Sequence, residues 1–238
     1  MHENIKQGFL QACINHGSLT TEMALNILTP MCETYDVDMP SGQAEATLAK
    51  IVKQINASIT QFNQTLTFIK HPLINEEFIV FGVTSESQVS KLQAHYTDAD
   101  RHYFYKLLEA LVNSEDYGIQ WAAVYSVAPV TPGQKPISKN HIQDLVQCWT
   151  QQGYFLEKDT SIYFGPRMLV EYSSHLKAHY PDLVKDCPLC SKLVLWDITC
   201  SECETKIHRE CIRKYLIKKS TCPSCNKTWN RRLSLSQN

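Results

Sequence analysis

The last quarter of the chain contains four pairs of potential metal ligands, and the two members of each pair are separated by two residues. The spacing is C-x2-C-x9-C-x2-C-x4-H-x2-C-x10-C-x2-C, and it includes seven of the ten cysteines. A gap of two residues lets both side chains of a tight turn reach one ion. Because zinc takes four such ligands at tetrahedral corners, four pairs predict two zinc sites. The candidate ligands are Cys187, Cys190, Cys200, Cys203, His208, Cys211, Cys222 and Cys225.

A disulfide framework is the main alternative use of so many cysteines. Such a framework needs an oxidising compartment, and here a histidine stands where the fifth ligand is expected. The first residues of the chain are mostly polar and lack the apolar core of a signal peptide. We therefore expect two Zn²⁺ ions rather than disulfide bonds.

Two zinc ions can be held by consecutive or by interleaved pairs. Consecutive pairing joins 187/190 with 200/203, whereas interleaved pairing joins 187/190 with 208/211 and 200/203 with 222/225. Spacing alone leaves both arrangements open. The order of ligand types is four cysteines, one histidine and three cysteines, and it resembles the cross-brace fingers of the RING and PHD families. That resemblance favours interleaving, with one Cys₃His site and one Cys₄ site.

The segment is more similar to a RING finger than to a PHD finger. PHD fingers usually carry tryptophan two residues before the seventh ligand, a position that Ser220 occupies. Ubiquitin-ligase RINGs usually have an apolar residue inside the first pair and proline inside the last, and this chain has Leu189 and Pro223 there. The fourth ligand, however, is cysteine instead of the common histidine, and Asn226 replaces the basic residue that often follows the eighth ligand. The segment therefore resembles a variant RING.

The RING resemblance implies docking contacts for a ubiquitin-conjugating enzyme. Leu189 and Pro223 are the expected contacts, with Tyr215 and Leu216 of the segment 212–219 beside them. A RING supplies no covalent nucleophile, so we expect no catalytic residue of that kind. It holds the ubiquitin thioester ready for attack by a substrate lysine, which is catalysis by positioning.

The formal net charge of −1 hides an asymmetry along the chain. Residues 187–238 carry a formal charge of +6, whereas the preceding residues carry −7. We interpret the basic end of the chain as a solvated surface. No apolar run is long enough to span a membrane, so we expect a soluble protein with no membrane association.

The sequence before the finger predicts the same series of elements twice. Residues 3–16 and 21–35 have helical apolar spacing, and a long helix follows, in which residues 44–62 repeat at three to four positions. Two strand-like runs, 65–69 and 78–83, come next. Pro30 is expected to end or kink the second helix early. Three helices followed by a hairpin is the order of a winged helix.

A similar order recurs downstream, where Ser138 is the expected N-cap of the central helix and Gly153 its end. The other predicted elements are a helix opened by 97–100, an ambiguous helix or strand at 119–127, a Pro/Gly-rich loop at 129–136, a hairpin around 158–160 and a last helix over 167–180.

We therefore predict a mainly α chain with small β-hairpins, in which tandem winged-helix domains precede a cross-brace, two-zinc variant RING finger. The predicted domains are winged-helix domain A over 1–90, winged-helix domain B with a connecting C-terminal helix over 91–182, the finger over 183–228 and a flexible tail over 229–238.

The winged helices are expected to bind proteins rather than DNA. A DNA-reading winged helix has a basic third helix, but residues 42–62 contain only Lys50 and Lys53 against Glu45, and residues 138–152 are equally poor in cations. Because this region is acidic, direct DNA binding is expected to be weak or to occur through partners.

Two winged helices, a connecting helix and a variant RING with histidine as its fifth ligand resemble the non-SMC element one family over nearly the whole chain. Its members are RING-bearing subunits of the structural maintenance of chromosomes five/six complex. The stretch 180–187, and on through Cys225, is similar to the C-terminal signature of that family. The resemblance implies an E3 ubiquitin ligase that is nuclear, associated with chromatin and active in DNA repair by homologous recombination.

The same resemblance implies three partners. A MAGE-family subunit would bind the winged helices and stimulate the ligase, a kleisin-like subunit would complete the trimer, and a ubiquitin-conjugating enzyme would bind the RING. The competing function is a non-catalytic, zinc-stabilised interaction scaffold in the same complex.

Overall fold

The structure is a computed structural model that describes residues 2–40, 42–83, 96–128, 136–196 and 198–230. It divides into two compact units. Unit 1 contains residues 1–114 and 118–172, and unit 2 contains residues 115–117 and 173–238. The predicted boundary at residue 90 and most of the predicted loop at 129–136 lie outside the described residues, as does the tail from 231 onward. The predicted domain boundaries therefore stay predictions.

The first half of unit 1 has the topology of a winged helix. Its three strands form an antiparallel sheet in the order β1-β3-β2, and the register of β2 on β3 runs from Gln64 opposite Val83 to His71 opposite Glu76. The elements are α1 (Glu3–His16), β1 (Ser18–Thr20), α2 (Thr21–Thr34), α3 (Ala44–Ile59), a short 3₁₀ helix (Thr60–Phe62), β2 (Gln64–His71) and β3 (Glu76–Val83).

The helical spacing of the apolar residues places one face of each helix in a shared core. Phe9 of α1, Leu28 of α2 and Leu48 of α3 are completely buried and pack in one cluster with Leu66 and Ile79 of the sheet. The helical periodicity of the sequence thus predicted the buried residues correctly, because a stripe of apolar residues on a helix is stable only when another element covers it.

Of the two expectations for Pro30, an early end of α2 was wrong, because the helix continues to Thr34, close to the predicted end at residue 35. Proline in a helix leaves the carbonyl four residues earlier without its partner. That carbonyl belongs to Asn26, which is exposed, as is Pro30 itself. Leu28 and Cys32, by contrast, are buried on either side of the proline and hold both halves of the helix against the core.

The second half of unit 1 repeats the winged-helix topology, with strand order β4-β6-β5. The ambiguous stretch 119–127 contains the end of a strand and a short helix. The elements are α4 (Asp98–Asn113), β4 (Gly118–Gln120), α5 (Trp121–Val124), α6 (Lys139–Gln151), β5 (Phe155–Lys158), β6 (Ser161–Phe164) and α7 (Pro166–Glu171). Ser138 caps α6 as predicted, since its hydroxyl accepts a hydrogen bond from the His141 amide.

The prediction of one last helix over 167–180 was also wrong. The helix is interrupted at Tyr172, where the backbone has φ −103° and ψ 2°, and a separate helix α8 (Ser173–His179) follows in unit 2. Tyr172 is buried, and its ring lies 5.5 Å from that of Phe104 and 6.0 Å from that of Tyr154. Packing in this aromatic cluster, which also contains Trp149, therefore accompanies the break in the helix.

A buried carboxylate joins the two winged helices. Glu171 of α7 accepts a hydrogen bond from the Val83 amide of β3 at 3.0 Å, and the same oxygen accepts one from Arg167 Nε at 3.2 Å. Its second oxygen accepts from the Tyr154 hydroxyl at 2.9 Å. With Glu171 and Arg167 both buried, these bonds offset the cost of removing the two charges from water.

His71 makes a second buried connection between the winged helices. The residue is completely buried at the end of β2, and its Nε2 lies 2.9 Å from the carbonyl oxygen of Phe164 on β6. A carbonyl only accepts, so Nε2 carries the proton. Burial lowers the pKa of His71, and the bond to Phe164 offsets only part of that shift.

Unit 2 contains the remaining short strands and one longer helix. These are β7 (Lys185–Asp186), β8 (Leu193–Val194), β9 (Ile198–Thr199), β10 (Lys206–Ile207) and α9 (Arg209–Leu216). Strand β7 pairs with β8, and β9 pairs with β10, as two antiparallel ribbons. Among the described residues, no helix has the length and apolar character needed to cross a membrane.

The lowered pKa of His71 predicts a loss of stability in mild acid. The unfolded chain takes up a proton near pH 6.5 and the folded chain does so only at lower pH, so the free energy of unfolding should fall below about pH 6.5 by up to about 1.4 kcal/mol per pH unit. Urea unfolding of the wild type and His71→Gln at several pH values measures this contribution. The glutamine amide can still donate to Phe164, so the stability of the variant should depend less on pH; equal pH dependence in both proteins contradicts the assignment.

Candidate metal centre

The structure groups the eight predicted ligands in interleaved fashion. In each group of four, every ligand atom lies within 4.8 Å of the others. The first group is Cys187, Cys190, His208 and Cys211, and the second is Cys200, Cys203, Cys222 and Cys225. Consecutive pairing, which spacing left open, is therefore excluded, and the cross-brace is confirmed.

Three of the four ligand pairs lie in turns with the same backbone hydrogen bonds. In each, the carbonyl of the first cysteine accepts from the amide four residues later, and the amide of that cysteine donates to the carbonyl five residues later. The carbonyl bonds are Ser191 to Cys187 at 2.8 Å, Glu204 to Cys200 at 3.1 Å and Asn226 to Cys222 at 3.0 Å. The repeated geometry explains the two-residue gap, since it turns both thiols towards one point.

The residue after each of these pairs has a left-handed backbone. The φ values are +57° at Ser191, +56° at Glu204 and +59° at Asn226. Such a conformation costs an ordinary side chain free energy, which asparagine tolerates better than most residues. The fourth pair, His208 and Cys211, lies instead at the N-terminal end of α9, with His208 at the N-cap position.

The distances between ligand atoms match a tetrahedral zinc site. A Zn–S bond of about 2.3 Å places two sulfurs about 3.8 Å apart. In the second group, Cys203 Sγ lies 3.8 Å from Cys222 Sγ, and Cys200 Sγ lies 4.0 Å from Cys225 Sγ. In the first group, His208 Nδ1 lies 3.3 Å from Cys190 Sγ and 3.9 Å from Cys211 Sγ. The two donor sets therefore fit two zinc ions.

The histidine is held in the orientation that metal binding requires. Its Nε2 lies 3.0 Å from the carbonyl oxygen of Leu193 on β8 and must donate to it. The proton on Nε2 leaves Nδ1 free as a ligand, and the carbonyl fixes the plane of the ring. Sequence analysis named His208 as a ligand but could not identify the carbonyl that orients it, because any backbone carbonyl can serve.

Hydrogen bonds to sulfur favour the thiolate form of Cys203 in the second group. The Thr205 hydroxyl lies 3.2 Å from Cys203 Sγ, and this bond is the main reason that the pKa of Cys203 is lowered to about 6. The amides of Glu202 and Ser224 donate to Cys200 Sγ and Cys222 Sγ, each at 3.4 Å. Sequence reasoning missed Thr205, although a hydroxyl two residues after a ligand was a possible signal.

In the first group, Cys211 retains its proton more strongly in the absence of a cation. Burial, together with the neighbouring Cys190 and Cys187 thiols, raises the pKa of Cys211 to about 12. A divalent cation stabilises the thiolate of Cys211 against this effect, because zinc binds thiolates and displaces their protons.

The small core of the finger consists largely of the ligands themselves. Val194, Ile207 and Ile212 are completely buried and pack with three buried ligand cysteines. Leu189, Tyr215 and Leu216, which sequence analysis assigned to docking, are half-buried against the same core. Pro223 is also half-buried, within the turn between Cys222 and Cys225.

Residues 115–117 complete unit 2 from an earlier part of the chain. Tyr117 is buried with φ +53°, and its hydroxyl donates to the Leu183 carbonyl at 2.9 Å. Lys206 Nζ donates to that hydroxyl at 2.6 Å, and Trp196 Nε1 donates to the Asp116 carbonyl at 2.6 Å. The sequence gave no signal for this packing, because it joins residues about 80 positions apart.

Comparison with known families gives two matches. A model described as the Nse1 non-SMC component of the SMC5-6 complex matches residues 6–127. A second model, described as a RING-like domain, matches residues 187–225, the span from the first ligand to the last.

Relatives named non-structural maintenance of chromosomes element 1 homolog match almost the entire chain. The protein from Drosophila melanogaster is 40% identical over 227 residues, which are 95% of this chain and 96% of that protein. The Xenopus laevis protein is 22% identical, over 94% of this chain and 82% of its own length. The human protein is also 22% identical, over 95% and 84%.

A solved structure described as the Nse1-Nse3-Nse4 complex contains a chain with the same fold. The TM-score is 0.77 at 21% sequence identity, and the match covers 98% of this chain and 99% of that chain. The likeness includes both the winged-helix unit and the finger.

The cross-brace predicts that replacing one ligand disrupts the whole finger. Cys203→Ser should lower the zinc content from two ions per chain and expose residues 187–225 to protease, because structural zinc supplies about 10–16 kcal/mol of apparent binding free energy in finger peptides. Metal analysis and limited proteolysis measure both effects. Cys148→Ser, outside the finger, is the matched control and should retain two zinc ions; fewer than two in the folded wild type contradicts the site.

Proposed function

Because the chain belongs to the family of Nse1 non-SMC components of the SMC5-6 complex, we propose that it is a RING-type E3 ubiquitin ligase subunit of that complex. We further propose that it acts in the nucleus, on chromatin, in DNA repair by homologous recombination. The observation that carries the ligase proposal is the cross-braced pair of ligand groups inside a RING-like domain.

The proposed mechanism is positioning of a ubiquitin-charged conjugating enzyme. The two donor sets hold zinc, which keeps the finger folded and takes no part in bond making. The docking surface proposed is Leu189 with Pro223, flanked by Tyr215 and Leu216 of α9. Restraining the thioester in one orientation lowers the entropic cost of attack by a substrate lysine.

The packing of these four residues supports the proposal. Each is half-buried, so part of the side chain supports the finger while part remains accessible. Leu189 lies between the ligands of the first group, and Pro223 lies between ligands of the second. A surface built on two metal-bound turns is rigid, and rigid positioning is what such catalysis requires.

The partners we propose follow from the solved relative. That structure is a complex of Nse1 with Nse3 and Nse4, so we propose a MAGE-family subunit and a kleisin-like subunit as partners of this chain. The MAGE-family subunit is assigned to the winged helices, which are acidic and poor in the cations of a DNA reader.

A scaffold without ligase activity is the second candidate, and one contact favours it. Asn226 follows the last ligand where ligase RINGs often carry a basic residue. The next residue, Lys227, has its Nζ 3.2 Å from a carboxylate oxygen of Glu202. This ion pair holds the cation against Glu202 and away from ubiquitin, so the isolated chain should be a slow ligase at best.

The ligase proposal predicts a defect in Leu189→Ala without loss of metal. Removing the leucine side chain should slow single-turnover discharge of ubiquitin by roughly tenfold, equivalent to about 1.4 kcal/mol of transition-state stabilisation. Discharge should be measured with and without the MAGE-family subunit, across several conjugating enzymes. Leu183→Ala is the control, because this leucine is exposed and lies outside the ligand turns. If the wild type does not accelerate ubiquitin discharge either with or without the MAGE-family subunit, the ligase proposal is wrong and the scaffold function stands.

The partner assignment predicts that binding survives removal of the finger. Unit 1 has its own core and its own buried ion pair, so a chain ending at Tyr180 should co-elute with the MAGE-family subunit in size-exclusion chromatography. Co-elution that requires residues 187–225 assigns the interface to the finger instead.

A further inference from the structure

The C-terminal end of α9 and the turn after it carry a concentration of positive charge. Residues 209–219 contain five basic side chains and one acidic side chain, Glu210. Lys214, Lys218 and Lys219 are all exposed, and we refer to them as the α9 lysine cluster. The single acid does not neutralise them, because Glu210 forms an ion pair with Arg213.

Two other cations of unit 2 have carboxylate partners within the unit. Lys227 pairs with Glu202, and Lys177 pairs with Asp186 at 2.7 Å. In the part of the chain that the structure describes, no carboxylate forms an ion pair with any member of the α9 lysine cluster. Three like charges therefore stand close together with no opposite charge to offset their repulsion.

Stabilisation of α9 does not account for the cluster. A cation in the last turn of a helix interacts favourably with its dipole, which applies to Lys214. Lys218 and Lys219, however, lie beyond Leu216, the last residue of the helix. Their amides both bond to the Tyr215 carbonyl, so the backbone is already capped without their side chains.

We propose that the α9 lysine cluster binds the phosphate backbone of duplex DNA. Ile217 keeps helical backbone angles, with φ −61° and ψ −33°, so the chain reaches Lys218 on a helical path. Lys214 and Lys218 are four residues apart, and at that spacing on a helix Cβ atoms lie about 5–6 Å apart, which lets two ammonium groups reach neighbouring phosphates. Lysine contacts phosphate as a point charge and reads no base sequence. The contact should therefore be independent of sequence.

The chemistry of the finger favours duplex over single-stranded DNA. Single-strand binding relies on exposed aromatic side chains on which bases stack. The described aromatic residues of the finger, Trp196, Tyr215 and Trp229, are all half-buried. This proposal differs from the winged-helix expectation, because it places the DNA contact on the finger and not on α3 or α6.

The size of the effect follows from counterion release. Three phosphate contacts contribute about −2.7 to the slope of log K against log salt concentration, equivalent to about a 40-fold loss of affinity on a fourfold rise in salt. Replacing the three lysines by glutamine should therefore reduce the magnitude of this slope by about 2.7.

The test is fluorescence anisotropy of a short labelled duplex titrated with the full chain at several salt concentrations. The variant is Lys214→Gln, Lys218→Gln, Lys219→Gln. The matched control is Lys50→Gln, Lys53→Gln, Lys70→Gln, which removes the same charge from exposed lysines of the first winged helix. Zinc content is measured for both, so that misfolding of the finger is detected.

The proposal requires that the finger variant lose affinity and slope while the control retains both. Equal losses in both variants would show a net-charge effect, and a loss confined to the control would place the contact on the winged helix; either result overturns the proposal. Single-stranded DNA should bind more weakly than the duplex. Ile217→Ser, which changes the most exposed large apolar residue of the finger, should leave affinity unchanged; a loss as large as that of the lysine variant would indicate an apolar protein-docking face and also overturns it.

Discussion

Interleaved coordination by two ligand groups is the constraint on which the finger depends. Three of the seven buried residues in its core are ligand cysteines, and the rest are small aliphatic side chains. A core of this size does not offset the conformational entropy of ordering the segment 187–225. Zinc supplies the missing free energy. Because each ligand group takes one pair from the first half of the segment and one pair from the second half, neither site can form while one half is unfolded.

Unit 1 is stabilised by an apolar core instead of metal ligands. Its helices carry apolar stripes that meet in one core, and its second half is filled by an aromatic cluster around Phe104 and Trp149. The carboxylate of Glu171 and the ring of His71 join the two halves by hydrogen bonds that are shielded from water. A protein of this kind can present a metal-dependent finger without the winged helices themselves depending on metal.

The sequence predicted those features that depend on local patterns. Two-residue gaps identified the eight ligands, and helical periodicity identified both winged helices with their buried faces. Strand β1 was not predicted and β4 was left ambiguous with a helix, since three residues give no periodicity. The break at Tyr172 was not predicted either, because the residues that bury it are distant in sequence. The contact between Tyr117 and Lys206 could not be predicted from the sequence either. Residues 115–117 read as an ordinary connection until long-range contacts placed them against the finger.

The assignment of cysteines to metal ions tests the interleaved cross-brace most directly. The natural zinc is replaced by an NMR-active cadmium isotope, and each metal resonance is correlated with the β protons of the cysteines that bind it. The structure predicts one cadmium correlated with Cys187, Cys190 and Cys211, and a second correlated with Cys200, Cys203, Cys222 and Cys225. A cadmium correlated with both Cys187 and Cys200 would contradict the cross-brace and, with it, the docking surface proposed on the two metal-bound turns.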